Sequence, residues 1–178
     1  MYPTAVSRLR RPFLSDRFFF LTVNLLQDQL LLEELDFAIL ARSLDAVRSR
    51  QRFLLTVWVF LPDHWHAILC PCCPLTISDA MKSIKLTSAM ALNGRRGESR
   101  ELWQKRFFDH ALRTVRDYWD TVEYIHLNPV KRGLVAKPEN WTWSSFAEYA
   151  GVSAEEQKRR CGLAIDRLQL PAEAATRI

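Results

Sequence analysis

The chain has 178 residues, of which 48% are hydrophobic, and this is enough for one globular domain with a buried core. Its formal net charge is +5 and its pI is about 9.2, so polyanions such as nucleic acid or an anionic membrane surface are favoured partners. No signal-peptide core follows the N-terminus, and the longest apolar runs, such as residues 18–23, are too short to cross a bilayer. We therefore expect a cytoplasmic protein that does not act at a membrane.

The first half of the chain alternates strand and helix patterns. Residues 18–25 are an aromatic and β-branched run, which predicts a strand. From residue 32 to about 50, apolar residues recur at helical spacing and predict a helix with a wide buried face. Residues 54–61 predict a second strand, Pro62-Asp63 a turn, and residues 64–70 a third strand that completes a hairpin.

The second half adds one strand and two helices. Residues 78 to about 92 predict a helix that Asn93-Gly94 ends, and residues 107–113 predict the fourth strand. Thr114 is the expected N-cap of a helix that runs to about Asn128, because Pro129 disfavours helical geometry in the residue before it. The order β-α-β-β-α-β, followed by a helix, predicts an α+β, ferredoxin-like fold, in which an antiparallel sheet of four to five strands carries helices on one face.

The chain divides into one predicted domain and a tail. Residues 1–150 contain all the predicted strands, whereas residues 151–178 are charged and then Ala-rich. The second segment predicts a loosely attached and partly helical tail. Three of the four cysteines lie within four residues, too close for an ordinary disulfide framework, and free thiols are expected.

Two histidines on the third predicted strand are candidate metal ligands. Side chains alternate between the two faces of a strand, so His64 and His66 point to one face and Trp65 to the other. Two imidazoles on one face, two positions apart, can share a cation. An isolated His-x-His also occurs by accident, as two ordinary polar residues on a half-exposed strand.

The last predicted helix carries a polar stripe with a tyrosine. Asp117, Thr121, Tyr124 and Asn128 follow one another at steps of four, three and four residues, while Tyr118, Val122 and Ile125 form an apolar stripe that faces the core. Taken alone, the stripe is more typical of an ordinary amphipathic helix that has Tyr124 at its boundary and Asn128 as its C-cap.

Together the two features predict a site for phosphoryl transfer. Two imidazoles and the amide oxygen of Asn128 would bind a divalent metal, and Tyr124, one turn earlier on its helix, would attack a phosphate bound there. A covalent phosphotyrosine keeps the energy of the broken bond, so the same site could rejoin strands. Mixed nitrogen and oxygen ligands suit Mg²⁺ or Mn²⁺, and histidine favours Mn²⁺ of the two.

Three segments resemble those of a known family. Residues 61–66 read Leu-Pro-Asp-His-Trp-His, residues 103–110 read Trp-Gln-Lys-Arg-Phe-Phe-Asp-His, and residues 124–135 read Tyr-Ile-His-Leu-Asn-Pro-Val-Lys-Arg-Gly-Leu-Val. In this order they are similar to the hallmark segments of the REP-associated tyrosine transposases, relatives of the HUH single-tyrosine transposases of insertion sequences. The resemblance extends from about Phe18 to Tyr149.

The resemblance implies both a site and a substrate. His64 and His66 match the HUH metal-binding pair, Tyr124 matches the nucleophile, and Asn128 stands where the superfamily often places glutamine as third ligand. Family members recognise short imperfect hairpins of single-stranded DNA, cut near the hairpin foot, and leave a 5′-phosphotyrosine and a free 3′-OH. Insertion-sequence relatives act as dimers and the REP-associated branch can be monomeric, so the resemblance leaves monomer and homodimer open.

Basic residues are concentrated in the middle of the chain. Nine basic and three acidic residues lie between Ala80 and Arg116, interleaved with Trp103, Phe107 and Phe108. A solvated face would explain the charge, but the pattern favours a surface that follows DNA phosphates while aromatic rings stack on bases. The candidate DNA-binding residues are Lys82, Lys85, Arg95, Arg96, Lys105, Arg106, Arg113, Lys131 and Arg132.

Four alternatives compete with individual parts of this hypothesis. A catalytically silent binder of hairpin DNA would use the same basic surface. An RNA-binding ferredoxin-like domain would need exposed sheet aromatics in an RRM-type pattern, and residues 107–112 lack that signature. Cys70, Cys72 and Cys73 permit a zinc site on paper, although no matching Cys-x-x-Cys pair exists. His110 and His126 could relay protons, but hydrogen-bonded structural roles are the commoner case for single histidines.

Overall fold

The helices and strands follow the predicted order. The structure is a computed structural model that describes residues 16–27 and 30–168. The strands are β1 (Phe19–Asn24), β2 (Phe53–Phe60), β3 (His64–Pro71) and β4 (Phe108–Ala111). The helices are α1 (Glu34–Arg50), α2 (Ile77–Arg96), α3 (Val115–Lys131), α4 (Phe146–Tyr149) and α5 (Ala154–Cys161), with a 3₁₀ turn at Pro138–Asn140. None of these helices is long and apolar enough to cross a membrane.

The four strands form one antiparallel sheet in the order β2-β3-β1-β4. Beyond β2, the chain after the 3₁₀ turn adds a bridge between Val59 and Ser144, so the described residues form four full strands and only this bridge toward a fifth. The pairing of β1 with β3 places Thr22 opposite His66 and Asn24 opposite His64. The predicted α+β fold with an antiparallel sheet is confirmed.

One face of the sheet packs against α1 and α2. The core on this face contains Trp65 and Leu69 of β3, which alternate with the residues of the opposite face, together with Leu40 and Leu44 of α1 and Ile84 of α2. The buried face of α1 is narrower than its sequence predicts. Leu35, which belongs to the predicted apolar series, is 64% exposed because it lies on the outer side of the first turn.

The third helix packs against the opposite face. Tyr118, Val122 and Ile125 form a second core with Val59 of β2 and Ile68 of β3. The sequence predicts helices on a single face, and this holds for α1 and α2 but not for α3. Since His64 and His66 point to the same face as Ile68, α3 runs across the side of the sheet that carries them.

Two helices extend beyond their predicted ends. The second helix continues through Asn93-Gly94 to Arg96 and ends at Gly97, whose φ of +66° is the left-handed conformation typical of a glycine C-cap. The third helix continues past Pro129 to Lys131, because the backbone carbonyl of Asn128 still accepts a hydrogen bond from Arg132. Pro129 therefore lies within the last turn instead of stopping the helix.

The described part of the tail is closely packed and not loosely attached. Gln157, Cys161 and Leu163 are almost fully buried, and Leu163 belongs to the core beneath α1. The carboxylate of Asp166 accepts hydrogen bonds from the backbone N–H of Leu55, at 2.9 Å, and from Arg48. Residues 151–168 thus contribute to the stability of the domain.

Candidate active site

Two imidazole rings meet on the α3 side of the sheet. His64 and His66 are buried, and their Nε2 atoms lie 3.1 Å apart. Strand alternation brings both rings to this face, as predicted. His64 Nδ1 donates to Asp63 Oδ1 at 2.7 Å, while His66 Nδ1 lies 2.9 Å from Thr22 Oγ1.

Burial and hydrogen bonding together set the protonation state and the orientation of the two imidazole rings. Burial lowers the pKa of His66 to about 3, helped by the neighbouring His64, and burial also lowers the pKa of His64 against the opposing effect of Asp63. Both imidazoles are therefore neutral near pH 7. Each ring uses its Nδ1 for hydrogen bonding, so both Nε2 lone pairs face the same point, where a shared cation would be stabilised.

Asn128 of α3 approaches the two Nε2 atoms from the side opposite the sheet. Its Nδ2 approaches His66 Nε2 at 3.2 Å, while its Oδ1 is buried without a hydrogen-bond partner. A half-turn of the amide exchanges these two atoms and aims the oxygen at the imidazoles. A buried oxygen with no partner beside two nitrogen lone pairs fits a divalent cation.

Two imidazoles and one amide are the donor groups that converge on this point. Within residues 16–27 and 30–168, no group of three His, Cys, Asp or Glu side chains is arranged for metal binding. A cation at this point would therefore depend on the Asn128 amide for its third protein ligand. Two nitrogen atoms and one oxygen atom leave room for water and phosphate oxygens in the coordination sphere of Mg²⁺ or Mn²⁺.

Tyr124 lies one helical turn before Asn128 and on the same side of α3. Its ring is 41% exposed and meets His66 edge to face, with 5.5 Å between ring centroids. Phe20 packs against it from the sheet, and Lys131 Nζ lies 5.1 Å from the ring centroid. The phenol ring thus borders both His66 and solvent.

These side chains line a cavity of about 420 Å³ that is open to solvent. Lys131 and Arg132 form its basic wall, and Arg132 donates to Asp63 Oδ2 at 2.7 Å. Burial raises the pKa of Asp63, but hydrogen bonds from His64 and Arg132 outweigh this, so the pKa lies below its ordinary value. Asp63 therefore remains ionised and connects the basic wall to His64.

Comparison with known proteins identifies the family. A family model described as "Transposase IS200 like" matches residues 25–128, more than half of the chain. The REP-associated tyrosine transposase of Escherichia coli (strain K12) is 33% identical over 144 residues, which cover 79% of this chain and 83% of that protein. A solved structure of a REP-associated tyrosine transposase bound to a REP hairpin is 31% identical, covers 80% of this chain and 84% of its own, and superposes with a TM-score of 0.70.

This chain belongs to the IS200-like transposases, and within them to the REP-associated tyrosine transposases. The predicted family is thereby confirmed. The matched residues 25–128 include His64, His66, Tyr124 and Asn128.

Apart from Arg95, which is exposed but paired with Asp36, six of the nine candidate DNA-binding residues of the transposase are exposed. Lys131 and Arg132 are next to the cavity, whereas the other four lie on α2, before β4 and after β4. These four are Lys82, Lys105, Arg106 and Arg113. Their positions are compatible with contact to a DNA backbone, which stays a prediction.

The remaining three basic residues have structural partners. Arg95 and Arg96 each lie 2.7 Å from a carboxylate oxygen of Asp36, which is fully buried in α1. Burial raises the pKa of Asp36, but hydrogen bonds from Arg96, the backbone of Glu33 and Arg95 outweigh it and keep the pKa below its ordinary value. The two arginines thus join α2 to α1. Lys85 Nζ donates to the backbone carbonyl of Gln104 at 2.6 Å and holds the segment before β4.

The three interleaved aromatic residues have different environments. Trp103 is buried and donates its Nε1–H to Ser88, and Phe107 is partly buried against the α1–α2 core. Phe108 is 56% exposed. Of the three rings proposed to stack on bases, Phe108 is the one with a largely accessible side chain.

The other predicted candidates lie outside the cavity. His126 is buried beside Ser145, 3.0 Å away, and burial lowers its pKa to about 3, which agrees with a structural role. His110 is exposed on β4. Cys70 is a buried free thiol, and burial raises its pKa to about 11, which disfavours the thiolate that zinc binds.

Sequence reasoning missed several residues that build the site. Asp63 appeared only as a turn residue, although its position directly before His64 is a usable signal for a carboxylate that orients the ring. Thr22 and Phe20 come from β1, which is more than forty positions away from β3 in the chain. Their roles follow from the pairing of β1 with β3, which no local pattern reveals.

Proposed function

We propose that this transposase cleaves and rejoins single-stranded DNA through a covalent bond to Tyr124. The observation that supports the proposal is the convergence of Tyr124, His64, His66 and Asn128 around one basic cavity. These side chains come from β3 and α3, which meet only in the folded chain. A half-exposed phenol beside a buried donor set is the arrangement that attack on a bound phosphodiester requires.

The reaction is a transfer of a phosphoryl group to the phenol. The Tyr124 oxygen attacks the phosphorus atom, loses its proton and forms a new P–O bond, while the bond to the 3′ oxygen breaks and that oxygen takes up a proton. The products are a 5′-phosphotyrosine and a free 3′-OH. Attack by a 3′-OH on this phosphotyrosine reverses the step, and the strand is rejoined without ATP.

The cationic side chains of the cavity stabilise the charges that develop in this step. Lys131 lies over the face of the Tyr124 ring, so its ammonium group favours negative charge on the phenol and on the phosphate. Arg132 is held by Asp63 at the same wall. Both side chains are exposed, and a DNA backbone entering the cavity could contact them directly.

A divalent cation, Mg²⁺ or Mn²⁺, fits the donor set and would be held by His64 Nε2, His66 Nε2 and the Asn128 amide oxygen. When bound, it would polarise the phosphate and stabilise the negative charge of the transition state. Asp63 and Thr22 keep the two rings oriented for this purpose. The same orientation holds the Nε2 lone pairs toward the cavity in the absence of DNA.

The proposed substrate is a short single-stranded DNA hairpin of the REP type. The structurally similar transposase was solved bound to a REP hairpin, and it covers most of this chain. The exposed basic residues on α2 and around β4 extend the positive surface beyond the cavity, which suits a folded polyanion. We propose that the protein acts on this DNA as a monomer or a homodimer.

An adduct assay tests the proposal. The protein is incubated with Mn²⁺ and labelled hairpin oligonucleotides that carry palindromes found beside its gene. We expect a denaturation-resistant protein–DNA adduct whose DNA maps to the Tyr124 peptide by mass spectrometry. The Tyr124→Phe variant should form no adduct but bind the hairpin with similar affinity. The matched control is Tyr118→Phe, because Tyr118 lies on the same helix but packs in the core.

The outcomes separate the enzyme from a silent binder. An adduct of normal yield in Tyr124→Phe would refute the assignment of the nucleophile. Tight hairpin binding without any adduct, in wild type and with both metals, would favour a catalytically silent hairpin-binding protein. Cleavage that is undiminished by EDTA, or by His66→Ala, would remove the metal from the proposal.

A further inference from the structure

An exposed aromatic ring lies on the active-site face of the sheet, outside the cavity. Phe108 of β4 is 56% exposed, although a buried phenylalanine would gain more from the hydrophobic effect. The strand register places Phe108 next to Thr22 and His110 next to Phe20, so all four side chains share one face. Thr22 also contacts His66, which means that this face continues directly into the histidine pair.

Phe20 connects the exposed ring to the nucleophile. Its ring centroid lies 5.8 Å from that of Phe108, 5.4 Å from that of His66 and 5.7 Å from that of Tyr124. The contacts with Phe108 and Tyr124 are edge to face. A stacking partner of Phe108 would therefore lie close to the phenol, with the Phe20 ring packed between Phe108 and Tyr124.

The charges beside this ring favour a nucleic acid as its partner. Lys105 and Arg106 are exposed just before β4, and Arg113 is exposed just after it. Aromatic rings on which bases stack, flanked by cations that follow the backbone, are the usual surface for single-stranded DNA. A second copy of the chain would instead bring like charges together at this edge, which disfavours self-association.

We propose that Phe108, supported by Phe20, stacks on a base of the single-stranded DNA beside the phosphate that Tyr124 attacks. This inference rests on the proposed strand cleavage and adds a positioning surface to it. The stacked base holds the neighbouring phosphodiester at the mouth of the cavity, while Lys105 and Arg106 contact adjacent phosphates. The contact discriminates little between bases, since every base has a face that can stack.

Loss of the ring should weaken binding measurably. Base–aromatic stacking typically changes affinity by about 5- to 150-fold per base. We expect Phe108→Ala to lose roughly 10-fold in affinity for a hairpin with a single-stranded flank, and little for a hairpin without one. Phe108→Trp should retain the affinity, because a larger ring can stack equally well.

The experiment combines binding with photocrosslinking. All variants are made in the Tyr124→Phe background to prevent cleavage, and affinities are measured by fluorescence anisotropy. 5-Iododeoxyuridine, which crosslinks to stacked aromatic side chains, is placed at each flanking position in turn. Leu86→Ala is the matched control, because Leu86 is 59% exposed but lies on α2, on the other side of the sheet.

We expect a crosslink at Phe108 from one or two positions next to the cleaved bond, lost in Phe108→Ala and retained in Phe108→Trp. Equal affinities of Phe108→Ala and Leu86→Ala, together with crosslinks that map elsewhere, would overturn the proposal. A shift in oligomeric state in Phe108→Ala at unchanged affinity would also overturn it, because the ring would then be a contact between copies.

The proposed cleavage and the stacking surface can fail separately. If wild-type protein forms no adduct but the Phe108 crosslink is present, the cleavage fails and the stacking surface stands. If the adduct forms normally while Phe108→Ala binds and crosslinks like the control, the stacking surface is refuted and the cleavage stands.

Discussion

The carboxylate of Asp63 offers a sensitive test of the site, because it connects His64 to the basic wall. Asp63 Oδ1 accepts from His64 Nδ1 at 2.7 Å, and Asp63 Oδ2 accepts from Arg132 at 2.7 Å. In Asp63→Asn the amide oxygen can still accept from His64, but the amide nitrogen then faces the Arg132 guanidinium, which has no acceptor for it. The substitution keeps the shape of the side chain and removes its charge.

The expected magnitude follows from the role of the carboxylate. Partners that orient a metal-binding imidazole typically change metal affinity by about 10- to 100-fold, which corresponds to about 1.4–2.8 kcal/mol. Because Asp63 is 40% exposed, solvent screening favours the lower half of this range. We therefore expect Asp63→Asn to weaken Mn²⁺ binding by about 10-fold, and Asp63→Ala to weaken it further because the oxygen is also lost.

The assay is calorimetric titration of DNA-free protein with Mn²⁺, with circular dichroism to verify the fold. Asp79→Asn is the matched control, since Asp79 is an exposed carboxylate in the first turn of α2, far from the histidine face. If Asp63→Asn binds Mn²⁺ as tightly as the control does, Asp63 does not act through His64. If His64→Ala also binds Mn²⁺ normally, the ligand assignment itself is wrong.

Two further predictions concern the stability of the fold. Asp36→Asn should lower the free energy of unfolding by about 3 kcal/mol, because Arg95 and Arg96 would lose their shared counter-ion. Urea denaturation at pH 7 measures this change. A loss below about 0.5 kcal/mol, which is the usual effect of a surface substitution, would contradict the prediction. Glu148 is buried and accepts from the backbone N–H of Ile165, and burial raises its pKa to about 7. A raised pKa means that the folded state binds this proton more tightly, so the contribution of Glu148 is present at low pH and is lost as pH rises through about 7. Glu148→Gln should therefore be more stable than wild type at pH 8, by roughly 1–3 kcal/mol, and this advantage should disappear at pH 5. Thermal unfolding of both proteins at both pH values measures the difference in stability. The same difference at pH 5 and pH 8 would refute the proposed titration of Glu148.

The third helix is the element that makes the site possible. One side of it buries Val122 and Ile125 against the sheet, and this packing fixes the helix across the histidine face. The adjacent side then presents Tyr124 and Asn128 to the imidazoles. Core packing and active-site geometry are therefore coupled, and we expect changes in this second core to disturb the proposed catalysis as well as stability.

Local periodicity determined much of this protein from its sequence. Strand alternation predicted that His64 and His66 share a face and that Trp65 points to the other, and helical spacing predicted that Tyr124 and Asn128 share a side. These relations depend on residues within about one turn or two strand positions of one another. They hold wherever the strand and helix are placed, so the sequence alone was sufficient for them.

Only the tertiary structure decided which of these surfaces meet. The side of the sheet that α3 covers and the pairing of Thr22 with His66 depend on contacts between distant segments. The ion pairs of Arg95 and Arg96 with Asp36 also depend on such distant contacts. A charge pattern in the sequence cannot show which basic residues have a buried acidic partner. The physical reason is that side-chain burial and strand register are set by the packing of the whole chain, whereas periodicity reports only the local backbone.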